Sequence, residues 1–178
     1  LLLLNNDTKV ITPDWIEAMV EQAQRPSIGA VGSMLLYPDD TIQHAGVVLG
    51  LGGVAGHSHK HFPVSHPGYI SQLASINNYS AVTGACLMCR REVYEKVGGL
   101  DENLQVAFND VDFCLKIVSH CYRYIHLTHV VLSHYQSKSR GYEDTPEKQA
   151  RFSKEVQYMQ KRWSTMFAKD PCYNPNLS

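Results

Sequence analysis

The most informative segment of the sequence is Asn109-Asp110-Val111-Asp112-Phe113-Cys114-Leu115-Lys116. From Val111 onward, apolar residues recur at the spacing of one helix face, and Asn109 is a favoured N-cap, so we predict a buried helix with Asp110 in its first turn. Helix dipoles stabilise a carboxylate there, which suits a base that accepts a proton from a hydroxyl group. Asp110 and Asp112 could equally be ordinary helix caps, and this stretch leaves both interpretations open.

Composition and charge limit the classes of protein. The 178 residues are 44% hydrophobic and carry 16 basic and 17 acidic side chains, for a net charge of −1. This composition predicts a globular domain and excludes a general nucleic-acid binder. Apolar runs are too short to span a bilayer, which predicts a soluble, cytoplasmic protein. Five cysteines, three of them in apolar segments, argue against a disulfide framework.

The beginning of the chain has the pattern of a strand–helix–strand unit. Leu1–Leu4 predicts a fully buried strand, which needs neighbours on both sides. The polar turn Asn5-Asn6-Asp7 follows, then a helix that is capped by Thr12 and opened by Pro13, and a second strand over 28–37. Such units bind ligands at the carboxyl ends of their strands. The turn's oxygen side chains suit a divalent cation that carries a diphosphate, or form an ordinary polar turn.

A hairpin and a histidine-rich loop are predicted next. Residues 41–49 are expected to form its returning strand and residues 50–68 a flexible loop. The run His57-Ser58-His59-Lys60-His61 suggests a metal site. Structural zinc sites, however, usually gather four ligands from separate elements, so we favour a loop beside a substrate cleft.

The remaining segments supply a central strand, a basic loop and a last helix. A strand is predicted over 80–90, where Gly84 allows a ligand or another backbone to approach closely. Residues 133–141 carry a His, a Lys, an Arg and several hydroxyl groups, which fits an anion-binding loop or an ordinary basic loop. The helix that follows Thr145 has a basic surface, so it packs on its own domain or rests on an anionic membrane. Residues from Asp170 onward are expected to be loose.

In this order, the motifs resemble the C-terminal two-thirds of a family 2 glycosyltransferase with the GT-A fold, of the bacterial polysaccharide or O-antigen type. The resemblance spans about Leu1 to Trp163. Its motifs are Leu3–Thr8, Thr83–Leu87 with Arg90–Val93, Val97–Glu102, Asn109–Cys114, and His134–Gly141.

The resemblance implies an α/β fold, a GT-A-like (Rossmann-related) mixed sheet flanked by helices. This domain would occupy residues 1–169, followed by a loose tail over 170–178. In the family, the first βαβ half binds the base and ribose of the nucleotide, and this chain starts after it. We therefore expect the N-terminal nucleotide-binding half to be missing, and the chain alone to bind donor weakly and to turn over little or nothing.

The resemblance also implies roles for individual residues. Asp7 matches the last carboxylate of the D-x-D element and would hold Mn²⁺ or Mg²⁺, with Asn5 where the family has its first Asp. His134 matches a second metal ligand. Asp110 matches the catalytic base, with Asn109 at a position where Glu is common. The diphosphate would be held by Ser137, Ser139 and Arg140, and the acceptor side would be lined by Thr83, Gly84 and Ala85.

The implied activity is inverting transfer of a sugar from a nucleotide-sugar donor to a saccharide or lipid-linked saccharide acceptor in surface polysaccharide synthesis. The expected location is the cytoplasm, and the basic surface of the last helix allows peripheral contact with the inner membrane. Two other classes stay open. A non-catalytic carbohydrate-binding or assembly module would keep the fold without needing Asp7 or Asp110. A nucleotidyltransferase would release pyrophosphate from a nucleoside triphosphate.

Overall fold

The computed structural model describes residues 1–135, 145–174 and 176 of the chain. Its strands are β1 (Leu2–Leu4), β2 (Thr8–Val10), β3 (Ile28–Leu36), β4 (Ile42–His44), β5 (Val47–Leu49), β6 (Ala55–His57), β7 (Cys86–Cys89) and β8 (Arg123–His134). Its helices are α1 (Trp15–Ala23), α2 (Arg91–Lys96), α3 (Asn109–Ser119) and α4 (Pro146–Ala168), with 3₁₀ turns at Leu51–Gly53 and Tyr69–Ala74.

The main sheet is mixed and has the strand order β1-β7-β3-β8-β2, with β4 paired to β3. β3 and β8 are parallel, whereas β7 is antiparallel to both β1 and β3. β1, β3 and β8 therefore run in the same direction, and their carboxyl ends meet at one edge. This edge holds the turn Asn5–Asp7 after β1 and His134 at the end of β8.

Helices cover both faces of the sheet. Tyr124 and Ile125 are neighbours on β8, so their side chains point to opposite faces and join separate core clusters. Met19 of α1 packs on the Ile125 side, whereas Phe113 of α3 and Met159 of α4 pack on the Tyr124 side. Complete burial of a side chain of this size contributes roughly 1.5–3 kcal/mol.

Two predictions for the first unit are wrong. Leu1 and Leu4 are each 43% exposed, and within the described part of the chain β1 pairs with β7 alone, so β1 is not a fully buried strand. α1 begins at Trp15, so Pro13 does not open it and Thr12 does not cap it. The Thr12 hydroxyl instead donates to His129 O and accepts from Val131 N, which ties the approach to α1 onto β8.

The central segments also differ from the prediction. The strand over 41–49 is broken at Gly46, whose φ of 101° turns the chain between β4 and β5. The predicted flexible loop contains β6, which pairs with β5 in a separate two-stranded sheet. The predicted strand over 80–90 is regular only at β7. Strand pairing decides these limits: β4 pairs with β3, β5 with β6, and β7 with β1 and β3. The pattern of residues along each segment does not show which pairing forms.

The first residue of the predicted tail is held by the domain. Asp170 Oδ2 accepts from Leu49 N at 2.7 Å, and Oδ1 accepts from the Ser80 hydroxyl. These contacts join the segment after α4 to β5 and to the chain before β7.

His126 on β8 should make the stability of the fold depend on pH. Its ring is fully buried against His44 and Tyr79, and within the described residues neither of its nitrogens forms a hydrogen bond. Burial lowers the pKa of His126 from 6.5 to about 4. Between these two values the unfolded chain binds a proton that the folded chain does not. The free energy of unfolding should therefore fall by about 3 kcal/mol as the pH drops through this window.

Urea unfolding between pH 7 and pH 4, compared for the wild type and His126→Phe, measures this contribution. The variant should lose the share of His126, about 3 kcal/mol, while the share of buried His44 remains. His129→Phe, at an exposed position on the same strand, should keep the full pH dependence. If the free energy of unfolding of His126→Phe depends on pH as strongly as that of the wild type, His126 does not make this contribution.

Candidate active site

The carboxyl edge of the sheet brings together Asn5, Asp7 and His134. His134 Nε2 lies 3.1 Å from Asp7 Oδ1 and 3.2 Å from Asn5 Nδ2. The pairing of β2 with β8 fixes this arrangement, because Thr8 lies opposite His134 and Tyr135 N donates to Asp7 O. The two residues proposed as metal ligands are thus adjacent, although 126 residues separate them in the chain.

Gln43 on β4 determines which nitrogen of His134 carries the proton. Gln43 Nε2 donates to His134 O at 3.2 Å, so its Oε1, 2.6 Å from His134 Nδ1, accepts a hydrogen bond from Nδ1–H. Burial lowers the pKa of His134, and Asp7 opposes this shift. The net lowering of the pKa favours the neutral ring. Nε2 therefore presents a lone pair towards the edge of the sheet. Gln43 was not predicted as a site residue. The signal that could have indicated it is a polar side chain within the short strand β4, between Ile42 and His44.

The geometry at Asp7 and His134 fits a divalent cation. A lone pair and a carboxylate oxygen 3.1 Å apart repel one another, and a positive charge between them removes this repulsion. An imidazole nitrogen and a carboxylate oxygen suit Mn²⁺, and the carboxylate suits Mg²⁺. Among the described residues, no group of three or more His, Cys, Asp or Glu side chains could hold a metal ion. A cation at this pair would therefore take further ligands from substrate or solvent.

Asp110 lies in the first turn of α3, where two backbone N–H groups orient its carboxylate. Gly84 N donates to Oδ2 at 2.9 Å, and Val111 N donates to Oδ1 at 2.8 Å. A Cβ atom on Gly84 would lie 3.4 Å from Asp110 Cβ, in van der Waals contact, so the two residues pack closely. Asn109 is not the N-cap as predicted. Phe108 holds that position with a left-handed φ of 62°, and the helix begins at Asn109.

Asp112 differs from Asp110 in having no access to solvent. Its Oδ1 accepts from Trp163 Nε1 at 2.8 Å and lies 3.4 Å from Arg162 Nη1. Its Oδ2 lies 3.2 Å from Lys116 Nζ, an ion pair without hydrogen-bond geometry. Asp112 therefore anchors α4 to α3, and Asp110 is the carboxylate of this turn that can meet a ligand.

Two hydrogen bonds to the adjacent residues Gly84 and Ala85 connect Asp110 to the turn that carries Asn5 and Asp7. Asn5 N donates to Ala85 O at 3.0 Å, and Gly84, the residue before Ala85, donates to Asp110. The predicted acceptor-side segment Thr83–Ala85 thus lies between the turn after β1 and the first turn of α3. Ser137, Ser139 and Arg140, predicted to bind diphosphate, lie outside the described residues.

The histidine run at residues 57–61 does not converge on one point. His57 contacts His44, His59 contacts Ser58, and His61 stacks on Tyr37. The side chains point to different neighbours because β6 ends at His57 and the following residues turn.

α4 packs on its own domain, and Glu155 and Met159 on this helix are buried. The Glu155 carboxylate accepts from Val106 N and Ala107 N, in the loop before α3. In the part of the chain that the structure describes, no helix combines the length and the apolar character that crossing a membrane requires.

No family model matches this chain. It is 55% identical over 177 residues to the uncharacterized protein y4gI of Sinorhizobium fredii (strain NBRC 101917 / NGR234), covering 99% of this chain and 20% of that protein. It is 40% identical over 181 residues to the O-antigen biosynthesis protein RfbC of Myxococcus xanthus, covering all of this chain and 14% of RfbC. The chain thus spans a fifth or less of the length of these curated relatives.

Proposed function

We propose that this chain forms the metal and acceptor side of an inverting glycosyltransferase that acts in polysaccharide synthesis. Two lines of support meet here. One is the 40% identity to a protein named for O-antigen biosynthesis. The other, which carries the proposal, is that the Asp7–His134 pair and Asp110 lie along one edge of the sheet and are linked through Asn5, Ala85 and Gly84.

The donor side would be built on Asp7 and His134. These residues would hold Mn²⁺ or Mg²⁺ together with oxygens of the donor's diphosphate, which supplies ligands that the described residues lack. When bound, the cation would stabilise the negative charge that grows on the departing nucleoside diphosphate. Gln43 would keep His134 in the tautomer with a lone pair on Nε2, which would bind the metal in place of the Asn5 amide.

On the acceptor side, Asp110 would act as the base. Its carboxylate is held by Gly84 N–H and Val111 N–H, so it can accept a proton from an acceptor hydroxyl without moving. The hydroxyl oxygen would form a bond to the anomeric carbon as the bond to the diphosphate breaks on the opposite face. This direction of attack inverts the configuration at that carbon.

Removal of metal should abolish sugar transfer. The variant Asp7→Asn should raise the metal concentration needed for half-maximal activity at least about tenfold, because the substitution removes a charged ligand. The full-length protein would be incubated with nucleoside diphosphate sugars and a saccharide acceptor. Release of nucleoside diphosphate would be measured after EDTA treatment and after stepwise addition of Mn²⁺ or Mg²⁺.

Asp14→Asn, on the surface before α1, is the matched control and should leave the metal dependence unchanged. Transfer that persists in EDTA, or the same metal dependence in Asp7→Asn, would refute the metal site. Release of pyrophosphate from a nucleoside triphosphate would instead identify a nucleotidyltransferase. Saccharide binding without any product would identify a non-catalytic module.

A further inference from the structure

We propose that His57 binds the acceptor sugar by donating a hydrogen bond from Nε2–H to a sugar oxygen beside Asp110, and that His44 is the positioning residue that fixes the His57 tautomer. This inference rests on the proposed function. It adds a binding residue from β6, in a segment that local patterns predict to be a flexible loop.

The hydrogen-bond network determines both tautomers. Thr83 N–H can only donate, so His44 Nε2, 3.4 Å away, accepts and carries no proton. The proton of neutral His44 is therefore on Nδ1, which lies 2.8 Å from His57 Nδ1. His57 Nδ1 must accept the hydrogen bond from this N–H and so carries no proton. The proton of neutral His57 is then on Nε2. Within the described residues, His57 Nε2 forms no hydrogen bond, so this donor is available to a ligand.

The surroundings of His44 make this arrangement rigid and neutral. Its ring is buried and makes edge contacts with His57 at 5.0 Å and with His126 at 5.6 Å between ring centroids. Burial and the neighbouring histidines lower the pKa of His44 well below its usual value. A neutral His44 has one N–H to give, and it is directed at His57.

The His44–His57 pair and the proposed base both contact the segment Thr83–Gly84. His44 contacts the N–H of Thr83, and Asp110 contacts the N–H of Gly84, the next residue, so the histidine pair and Asp110 flank two consecutive residues. Packing of the His57 ring against its neighbours lowers its pKa, and the negative charge of Asp110 opposes this shift. Part of the His57 surface is still open to solvent, as a residue that contacts a substrate requires. A sugar hydroxyl between the two could donate to Asp110 while another oxygen accepts from His57.

Steady-state kinetics of the full-length protein test the binding role. His57→Ala should raise the KM for acceptor roughly tenfold, the order of effect of one neutral hydrogen bond, and leave the KM for donor unchanged. His57→Gln should recover most of the loss, because its amide N–H can reach the position of the imidazole Nε2–H. His61→Ala, which alters a neighbouring histidine that stacks on Tyr37, is the matched control and should behave like the wild type.

A second measurement does not depend on activity. The ¹⁵N chemical shifts of the histidine rings at pH 7.5 should report Nδ1–H for His44 and Nε2–H for His57, and His44→Phe should turn His57 into a mixture of tautomers. An Nδ1–H or doubly protonated His57 would overturn the proposal, as would an acceptor KM that His57→Ala leaves unchanged. Absence of sugar transfer by the wild type would overturn the proposed function itself, whereas normal transfer with either of these two results would overturn this inference alone.

Discussion

Asp110→Asn lowers the turnover number for sugar transfer by about 10²- to 10⁴-fold, the usual contribution of a positioned general base. The amide keeps the size of the carboxylate but cannot accept the proton of the acceptor hydroxyl. It can still accept one of the two backbone hydrogen bonds, from Gly84 or from Val111, so the first turn of α3 stays in place. Initial rates with saturating donor and acceptor measure the effect.

The loss of the second hydrogen bond should cost about 1 kcal/mol of stability, so the variant remains folded at assay temperature. Thermal unfolding followed by circular dichroism verifies this. Glu95→Gln, an exposed carboxylate on α2, is the control for removal of one negative charge and should keep wild-type rates. A folded Asp110→Asn protein with a turnover number within threefold of the wild type would rule out Asp110 as the base.

Asp112→Ala should lower the free energy of unfolding by about 3–5 kcal/mol, the usual cost of removing one partner of a buried ion pair. The change leaves the Lys116 ammonium buried without its counter-charge and the Trp163 N–H without its acceptor. It also removes the anchor between α3 and α4. Urea unfolding at pH 7 measures the loss.

The chain offers a matched comparison on another helix. Arg91 and Glu95 on α2 have the same i,i+4 spacing as Asp112 and Lys116, but both side chains are exposed and the charged atoms are 3.9 Å apart. Glu95→Ala should therefore cost less than about 1 kcal/mol. The double variant Asp112→Leu/Lys116→Met should recover part of the stability, because apolar side chains do not need counter-charges. A loss below 1 kcal/mol in Asp112→Ala would show that the buried pair does not anchor α4.

Asp110 and Asp112 show what a local sequence pattern can predict and what it cannot. Apolar spacing predicts α3, and the structure has that helix at Asn109–Ser119. Both aspartates stand in its first turn, so the pattern assigns them one role. Their separate environments arise from partners distant in the chain, Gly84 for Asp110, and Trp163 for Asp112.

Features that depend on neighbouring residues can be predicted from local sequence alone. The helix at α3, the end of α2 before Gly98 and Gly99, and the polar turn Asn5–Asp7 after a strand all follow from spacing and from residues that favour turns. A helix periodicity and a glycine with positive φ are properties of a few consecutive residues, so local sequence is enough to predict them.

The contacts between side chains of the site depend on the folded arrangement of the whole chain. The tautomer of His134 depends on Gln43, and the tautomer of His57 depends on His44. Thr12 forms hydrogen bonds with β8 instead of capping α1 as predicted. Each of these contacts joins segments that come together through strand pairing and burial. Because strand pairing is non-local, no pattern of consecutive residues encodes it, and the geometry of the site becomes visible only in the folded chain.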